Sequence, residues 1–262
     1  MVLRDMGKAG LAVLVLGTAA CATKSSGDDP TTTAGAAGTT GGDSTATPTT
    51  TAESTSSTSA APGSGSNFHR VNLGFVSAYI LYRDGEAALV DTGVSGSAGA
   101  IEGALGEIGL GWDSVGHVVV THHHPDHQGS LGAVLEQTDG APWYAGAGDL
   151  GAVNASTEGT AVGDGESVFG LDIIETPGHT LGHIAVLDAA AGVLVAGDAL
   201  NGTGDGSGVA GANPDFSVDM EMANASVEKL GGFDYDVALF GHGEPLLESA
   251  SSAVADLAAN LG

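Results

Sequence analysis

Positive charge is scarce in this sequence. Six of its 262 residues are Lys or Arg, against 32 Asp or Glu, for a formal net charge of −26. A nucleic-acid partner calls for a basic patch, and six cations do not build a large one. Cysteine is nearly absent: with Cys21 alone, no internal disulfide can brace the fold and no thiol beyond that position can act as a nucleophile. Charged residues of both signs reach only 15%, while apolar residues reach 42%, enough for a real core and too much for a chain disordered throughout. Glycine is abundant at 44 residues, well above the usual ~7%, which points to many loops and tight turns.

Three segments follow from the composition. Residues 1–21 carry Arg4 and Lys8, then the twelve-residue apolar run Ala9 to Ala20, then Cys21. A short basic region, an apolar run and small residues before a cleavage point describe a secretory signal. The run is shorter than the ~20 residues that span a bilayer. The stretch resembles a bacterial-type lipoprotein signal, in which Cys21 becomes the lipidated N-terminus; Asp5 and Thr18 depart from that pattern, and a plain secretory signal is the alternative. Residues 22–66 are a linker. From Ser25 to Ser66 every residue except Asp28, Asp29, Asp43 and Glu53 is Ser, Thr, Gly, Ala or Pro, which cannot bury apolar area and is expected to be disordered. Residues 67–262 are the length of one ordinary domain. These expectations place the domain outside the cytoplasm, held to a membrane only through Cys21.

Within that domain, apolar runs of strand length recur at Val71–Val76, Ala78–Tyr82, Ala87–Val90, His117–Val120, Leu171–Glu175, Ile184–Leu187, Val193–Ala196 and Val237–Phe240. Many are β-branched and bounded by Gly, Pro or Asp. Helical stretches are expected at Ala98–Ile108, Leu131–Glu136, Val218–Leu230 and Ser249–Leu261; in the first, Ile101, Leu105 and Ile108 share a face. The class is mixed α/β or α+β.

All nine histidines lie in this domain, and four fall in the window His122-His123-His124-Pro125-Asp126-His127 after Val118-Val119-Val120. In an extended segment residues i and i+2 point the same way, so His122 and His124 can converge while His123 points away. Pro125 is expected to turn the chain and leave Asp126 and His127 on a loop facing a second point. Imidazole and carboxylate are zinc's ligands. Three further apolar runs end in Gly-flanked ligand residues: His179 after Thr176-Pro177-Gly178, Asp198 after Gly197, and His242 between Gly241 and Gly243.

With Asp91 in Val90-Asp91-Thr92-Gly93, these positions form five motifs in order. Together they resemble the metallo-β-lactamase superfamily over residues 70–262. The resemblance implies a four-layer αββα sandwich with metals at one end between two sheets. By position it implies that His122, His124 and His179 hold one metal and Asp126, His127 and His242 a second. Asp198 would bridge both, and Asp91 would orient ligands from behind. His183 is read as structural or as a support to the ligands. His69, His117 and His123 receive no role. The implied cofactor is zinc, two ions, with iron or manganese as alternatives. Two zinc ions can hold a hydroxide between them at neutral pH and polarise a substrate carbonyl, with Asp126 also a catalytic proton shuttle.

Departures from subfamilies narrow the substrate. The bridging position is Asp198 and the residue three further on is Asn201, where one large class of metallo-β-lactamases has Cys and Lys. Arg70, Arg83 and Lys229 are the domain's only cations, a poor supply for a carboxylate clamp. Twenty residues follow His242, fewer than the helical glutathione-binding extension of glyoxalase II-like thioesterases. The expected partner is therefore a small molecule: a neutral or weakly charged ester or lactone, with a quorum-signal lactonase as the first candidate. A β-lactamase, a mononuclear iron persulfide dioxygenase and a non-catalytic zinc-binding surface lipoprotein are the alternatives. Residues 67–262 carry 27 carboxylates against three cations, a net of −24, so the acidity belongs to the domain. Its field repels polyanions. Gly202–Gly211 is expected to be a flexible loop, either over the site or on the remote surface.

Overall fold

The chain enters its fold as an antiparallel meander of β1 (Asn67–Asn72), β2 (Ser77–Arg83) and β3 (Glu86–Val90). This computed structural model describes residues 67–261; the signal, Cys21 and the linker lie outside the described residues. After β3 the helix α1 (Ala98–Glu107) returns the chain to β4 (Val115–Val120), parallel to β3. A single helical turn, α2 (Pro125–Gln128), and α3 (Leu131–Gln137) lead to β5 (Trp143–Gly146) and β6 (Thr160–Val162), each parallel to its predecessor. These six strands form one sheet in sequence order.

The second sheet has five strands. β7 (Ser167–Val168), β8 (Leu171–Glu175), β9 (Ile184–Asp188) and β10 (Val193–Gly197) run antiparallel in turn. A hairpin of β11 (Leu200–Gly202) and β12 (Val209–Gly211) and the helix α4 (Met220–Leu230) follow. Then β13 (Val237–Phe240) joins parallel to β10, and α5 (Ala250–Ala259) closes the domain. Asp219 accepts a hydrogen bond from the Met222 amide at 3.0 Å and caps α4, so that helix starts two residues later than its apolar pattern suggests.

Three buried clusters show the layering. Ile80, Leu89, Val118 and Val120 pack on Ile101, Leu105, Leu131 and Val134 of α1 and α3. Their strand neighbours Tyr79, Leu81, Ala88, Val90 and Val119 face the other way, into Ile173, Ile184, Val186, Val195 and Leu239 of the second sheet. The outer face of that sheet, with Leu187, Leu194 and Phe240, packs on Val227, Leu230 and Val254 of α4 and α5. Strands buried on both faces read as continuous apolar runs rather than alternating ones. This is the four-layer αββα sandwich.

The structure departs from the expected elements at four points. The first strand is Asn67–Asn72 rather than Val71–Val76, because Asn72 Oδ1 accepts the Gly74 amide at 2.9 Å and Leu73 pairs with Val76 across a turn. β5, β6 and the two-residue β7 went unrecognised, being too short for a periodic signal. Pro125 does not leave Asp126 and His127 on an open loop. It starts α2, and the amides of His127 and Gln128 bond back to the His124 carbonyl at 3.0 and 3.2 Å. The Gly-rich stretch 202–211 includes the ends of the β11–β12 hairpin. Among the described residues no helix is long and apolar enough to cross a membrane.

Candidate metal centre

Asp91, His122, Asp198 and His242 follow the ends of β3, β4, β10 and β13, and His179 follows β8. β3 pairs parallel with β4, and β10 with β13, so the loops after these paired strands emerge at common ends of their sheets. The topology therefore gathers residues that are up to 151 positions apart, from Asp91 to His242. His124 Nδ1 stands 3.1 Å from His122 Nε2 and 3.0 Å from His179 Nε2. Asp198 Oδ2 lies 3.4 Å from His179 Nε2 and 3.2 Å from His242 Nε2, while its Oδ1 is 3.3 Å from His127 Nε2. Asp126 Oδ2 is 3.3 Å from His242 Nε2 and 4.0 Å from His127 Nε2. Within this set three overlapping groups can each hold a metal ion: His122, His124 and His179; Asp126, His127 and His242; and His122, His127 and Asp198, which shares a residue with each of the others.

The donor chemistry fits a cation. His127 Nε2 and Asp198 Oδ1 are buried yet have no hydrogen-bond partner. A buried polar atom left unpaired is costly and rare, and here the two aim at common ground. The outer nitrogens also fix which ring atom faces inward. Thr121 Oγ1 spends its proton on Asp91 Oδ2 at 2.8 Å, so at 3.1 Å it accepts from His122 Nδ1. Asp91 Oδ2 accepts from His127 Nδ1 at 2.7 Å. Ser217 Oγ donates to the Asn213 carbonyl and accepts from His179 Nδ1 at 3.2 Å. His242 Nδ1 donates to the Phe75 carbonyl at 2.7 Å. Each of these four rings thus presents Nε2 to the centre, as ligating histidines with an outer acceptor do.

Charge follows the same division. Burial holds His122 well below the usual imidazole range, with His127 and His183 adding to the effect, and burial brings His179 down to about 4. His124 is likewise lowered by burial. These three are neutral, as ligation demands. Burial also opposes a proton on His127, but the Asp91 and Asp198 carboxylates outweigh it and raise that ring well above its ordinary value. Hydrogen bonds to Asp126 and Asp198 push His242 up to about 10. Asp198 resists its own burial because His127 stands beside it, and stays well below the carboxylate range. The carboxylate group therefore draws positive charge to the His127–His242 side, and a metal entering there displaces protons.

A cleft of about 460 Å³ opens above this centre, lined by His124, Asp126, His179, Asp198 and His242 together with Phe75, Phe216, Asn201 and Asn213. The Phe75 ring stacks near His242, with centroids 6.1 Å apart. Among the described residues no Lys or Arg lines it. Arg70 is held by Glu244 at 2.6 Å, Lys229 by Asp164 at 2.6 Å, and Arg83 sits 4.5 Å over the Phe169 ring.

The seven expected ligand side chains all meet here. Asp91 lies behind them, against Thr121 and His127. His183 is fully buried and accepts the Asp198 amide on Nε2 at 3.0 Å, so its Nδ1 donates to Thr176 Oγ1 at 2.7 Å. Burial brings it down to about 3, and it stays a neutral prop beneath Asp198. His123 points away, toward Asp149. Sequence reasoning missed Thr121, Ser217, Phe75 and Phe216. Thr121 carried a faint signal in its place between a strand and His122; the others are brought in only by tertiary structure.

The model of the metallo-beta-lactamase superfamily matches residues 71–242. The chain belongs to that superfamily. Among curated proteins it is 35% identical over 131 residues to a hydroxyacylglutathione hydrolase of Cupriavidus taiwanensis, covering 46% of this chain and 47% of that one. A hydroxyacylglutathione hydrolase of Rhodospirillum rubrum is 40% identical over 101 residues, covering 37% and 38%. The chain thus spans about half or less of the length of these relatives. Among solved structures, a metallo-beta-lactamase family protein from Thermus thermophilus superposes with a TM-score of 0.59 at 26% identity, covering 74% of this chain and 78% of that one. A protein crystallised in a di-iron-bound form shares the fold, with a TM-score of 0.57 at 22% identity over 69% and 92%.

Proposed function

We propose that this protein is a metal-dependent hydrolase that cleaves a small neutral or weakly charged ester or lactone, with two zinc ions as the cofactor. The convergence of five histidines and two aspartates under an open cleft carries this reading. His122, His124 and His179 would hold one ion and Asp126, His127 and His242 the other, with Asp198 within reach of both groups. Bound zinc supplies water acidified toward neutral pH and Lewis-acid polarisation of the substrate carbonyl. The chain's own residues do the rest. His183 and Asp91 keep Asp198 and His127 in place. Asp126 lines the cleft, and its hydrogen bond with His242 keeps it ionised, so it can take a proton from the nucleophile and return it to the leaving oxygen. Phe75 and Phe216, 64% and 66% exposed, offer apolar contact to an acyl chain.

Neutral substrates are favoured because no lining side chain is cationic and residues 67–262 carry a net charge of −24. The curated relatives favour a second reading, hydrolysis of a thioester. A panel of zinc-loaded assays tests both. An acyl-homoserine lactone and a simple ester should turn over at least tenfold faster, by kcat/KM, than nitrocefin or a phosphodiester. Preferred turnover of a hydroxyacyl thioester supports the second reading, and preferred turnover of nitrocefin overturns the neutral-substrate assignment. The leader-like residues 1–21, lipidation at Cys21 and the linker 22–66 belong to the same proposal, which has the domain working outside the cytoplasm. They account for a hydrolase tethered to a membrane surface.

A further inference from the structure

Asp149 lies outside every motif of the site and is 1% exposed. Its carboxylate joins the two loops that carry the three-histidine group. Oδ2 accepts the His123 amide at 3.0 Å, between His122 and His124. The same oxygen accepts the Thr180 hydroxyl at 2.6 Å, one residue after His179, and stands 2.9 Å from His123 Nδ1. Oδ1 accepts the Gly182 amide at 2.8 Å, next to His183. A buried carboxylate with this many donors is fixed in place. The backbone around it is built for close approach: a Cβ at Gly182 would strike the Gly148 and Asp149 backbone, and one at Gly146 would strike Gly182. The same segment is tied to the first loop a second time, where Gln128 donates to the carbonyls of His123 and Ala152 and accepts the Asn154 amide.

We infer that Asp149 is a positioning residue for metal binding: by clasping the backbones of His123 and Gly182 and the Thr180 hydroxyl, it sets the spacing of His122, His124 and His179. It touches neither metal nor substrate and acts through the loops. Charge and acceptor capacity both matter. An asparagine has one acceptor oxygen and one donor nitrogen, so whichever way it turns, an N–H of His123 or Gly182 faces another N–H. This inference rests on the metal reading of the site.

The test is zinc affinity, measured by competition with a chromophoric chelator on the full chain, beside thermal unfolding of the metal-free protein. Asp149→Asn should weaken one of the two zinc equivalents 10–100-fold, the range for partners that hold ligands from outside. Thr180→Val removes one hydroxyl from the clasp, keeps the shape, and should weaken the same equivalent several-fold; it decides the question if Asp149→Asn does not fold. Val134→Ala, in the core where α3 packs on the first sheet and with no side-chain polar atom to offer the clasp, should lower the unfolding midpoint and leave zinc affinity unchanged. Unchanged zinc affinity in Thr180→Val and in any folded Asp149→Asn overturns the inference, as does an equal loss in Val134→Ala. A wild-type chain that binds no zinc overturns the metal reading itself, and this inference with it.

Discussion

Asp198→Asn is expected to lose both hydrolysis and metal binding, with kcat/KM falling by about 10²–10⁴-fold. Asp198 is 5% exposed and its two oxygens reach His127, His179 and His242 at 3.2–3.4 Å. Removing one partner of a buried charged network costs about 3–5 kcal/mol, and each ~1.4 kcal/mol of transition-state stabilisation is a factor of ten. Asparagine keeps the volume but replaces an anionic acceptor with an N–H donor, which cannot ligate a cation. The backbone should stay in place, because the Asp198 amide still donates to His183. Circular dichroism should therefore be native while bound zinc falls below two per chain. Native zinc content together with wild-type turnover would show that Asp198 does not hold the centre together.

Gly241→Ala is expected to match that loss with a single methyl group. An added Cβ at Gly241 would overlap Asp198 Oδ1 and the His127 ring. Neither neighbour can yield: His127 is fixed by Asp91 from behind, and Asp198 is anchored through its amide. Gly241 is itself bonded at both ends, its amide to the Gly197 carbonyl and its carbonyl to the Ser77 amide. Overpacking a rigid buried site costs about 1–3 kcal/mol in stability, and here the displaced atoms belong to two of the candidate metal donors. A displacement near 1 Å at a catalytic centre costs about 100-fold in rate. Gly116→Ala is the control, since a Cβ there meets nothing within 4 Å. Gly116→Ala should be indistinguishable from wild type. Equal activity of both variants would mean that Asp198 and His127 need not sit where they do.

How legible was all this in the sequence? The candidate donor set was legible because its chemistry restricts residue type: few side chains can hold a metal ion, and His122, His124, His179 and His242 all follow apolar strand runs. The long two-sided strands were legible for a similar reason, since Val118-Val119-Val120 and Val193–Gly197 are buried on both faces. The short strands β5 to β7 were not, because two to four residues carry no period. Thr121, Ser217 and Asp149 were hidden because serine, threonine and aspartate are common everywhere, and only the tertiary fold shows which of them stands behind a ligand. The reading of Asp126 and His127 as loop residues beyond a turn at Pro125 failed on local chemistry: proline is well suited to the first position of a helix, and here it starts one. The same turn presents His127 to Asp91 and Asp126 to the cleft. Thus one helical turn divides two neighbouring residues between the buried and open sides of the centre.

Metal dependence is the claim on which the rest depends, and chelation with add-back tests it most directly. Purified protein with zinc and a preferred ester or lactone should lose at least 99% of its turnover after exhaustive chelation. Turnover should return as two equivalents of zinc are restored, with no gain from a third. Turnover that survives complete removal of metal would contradict the account.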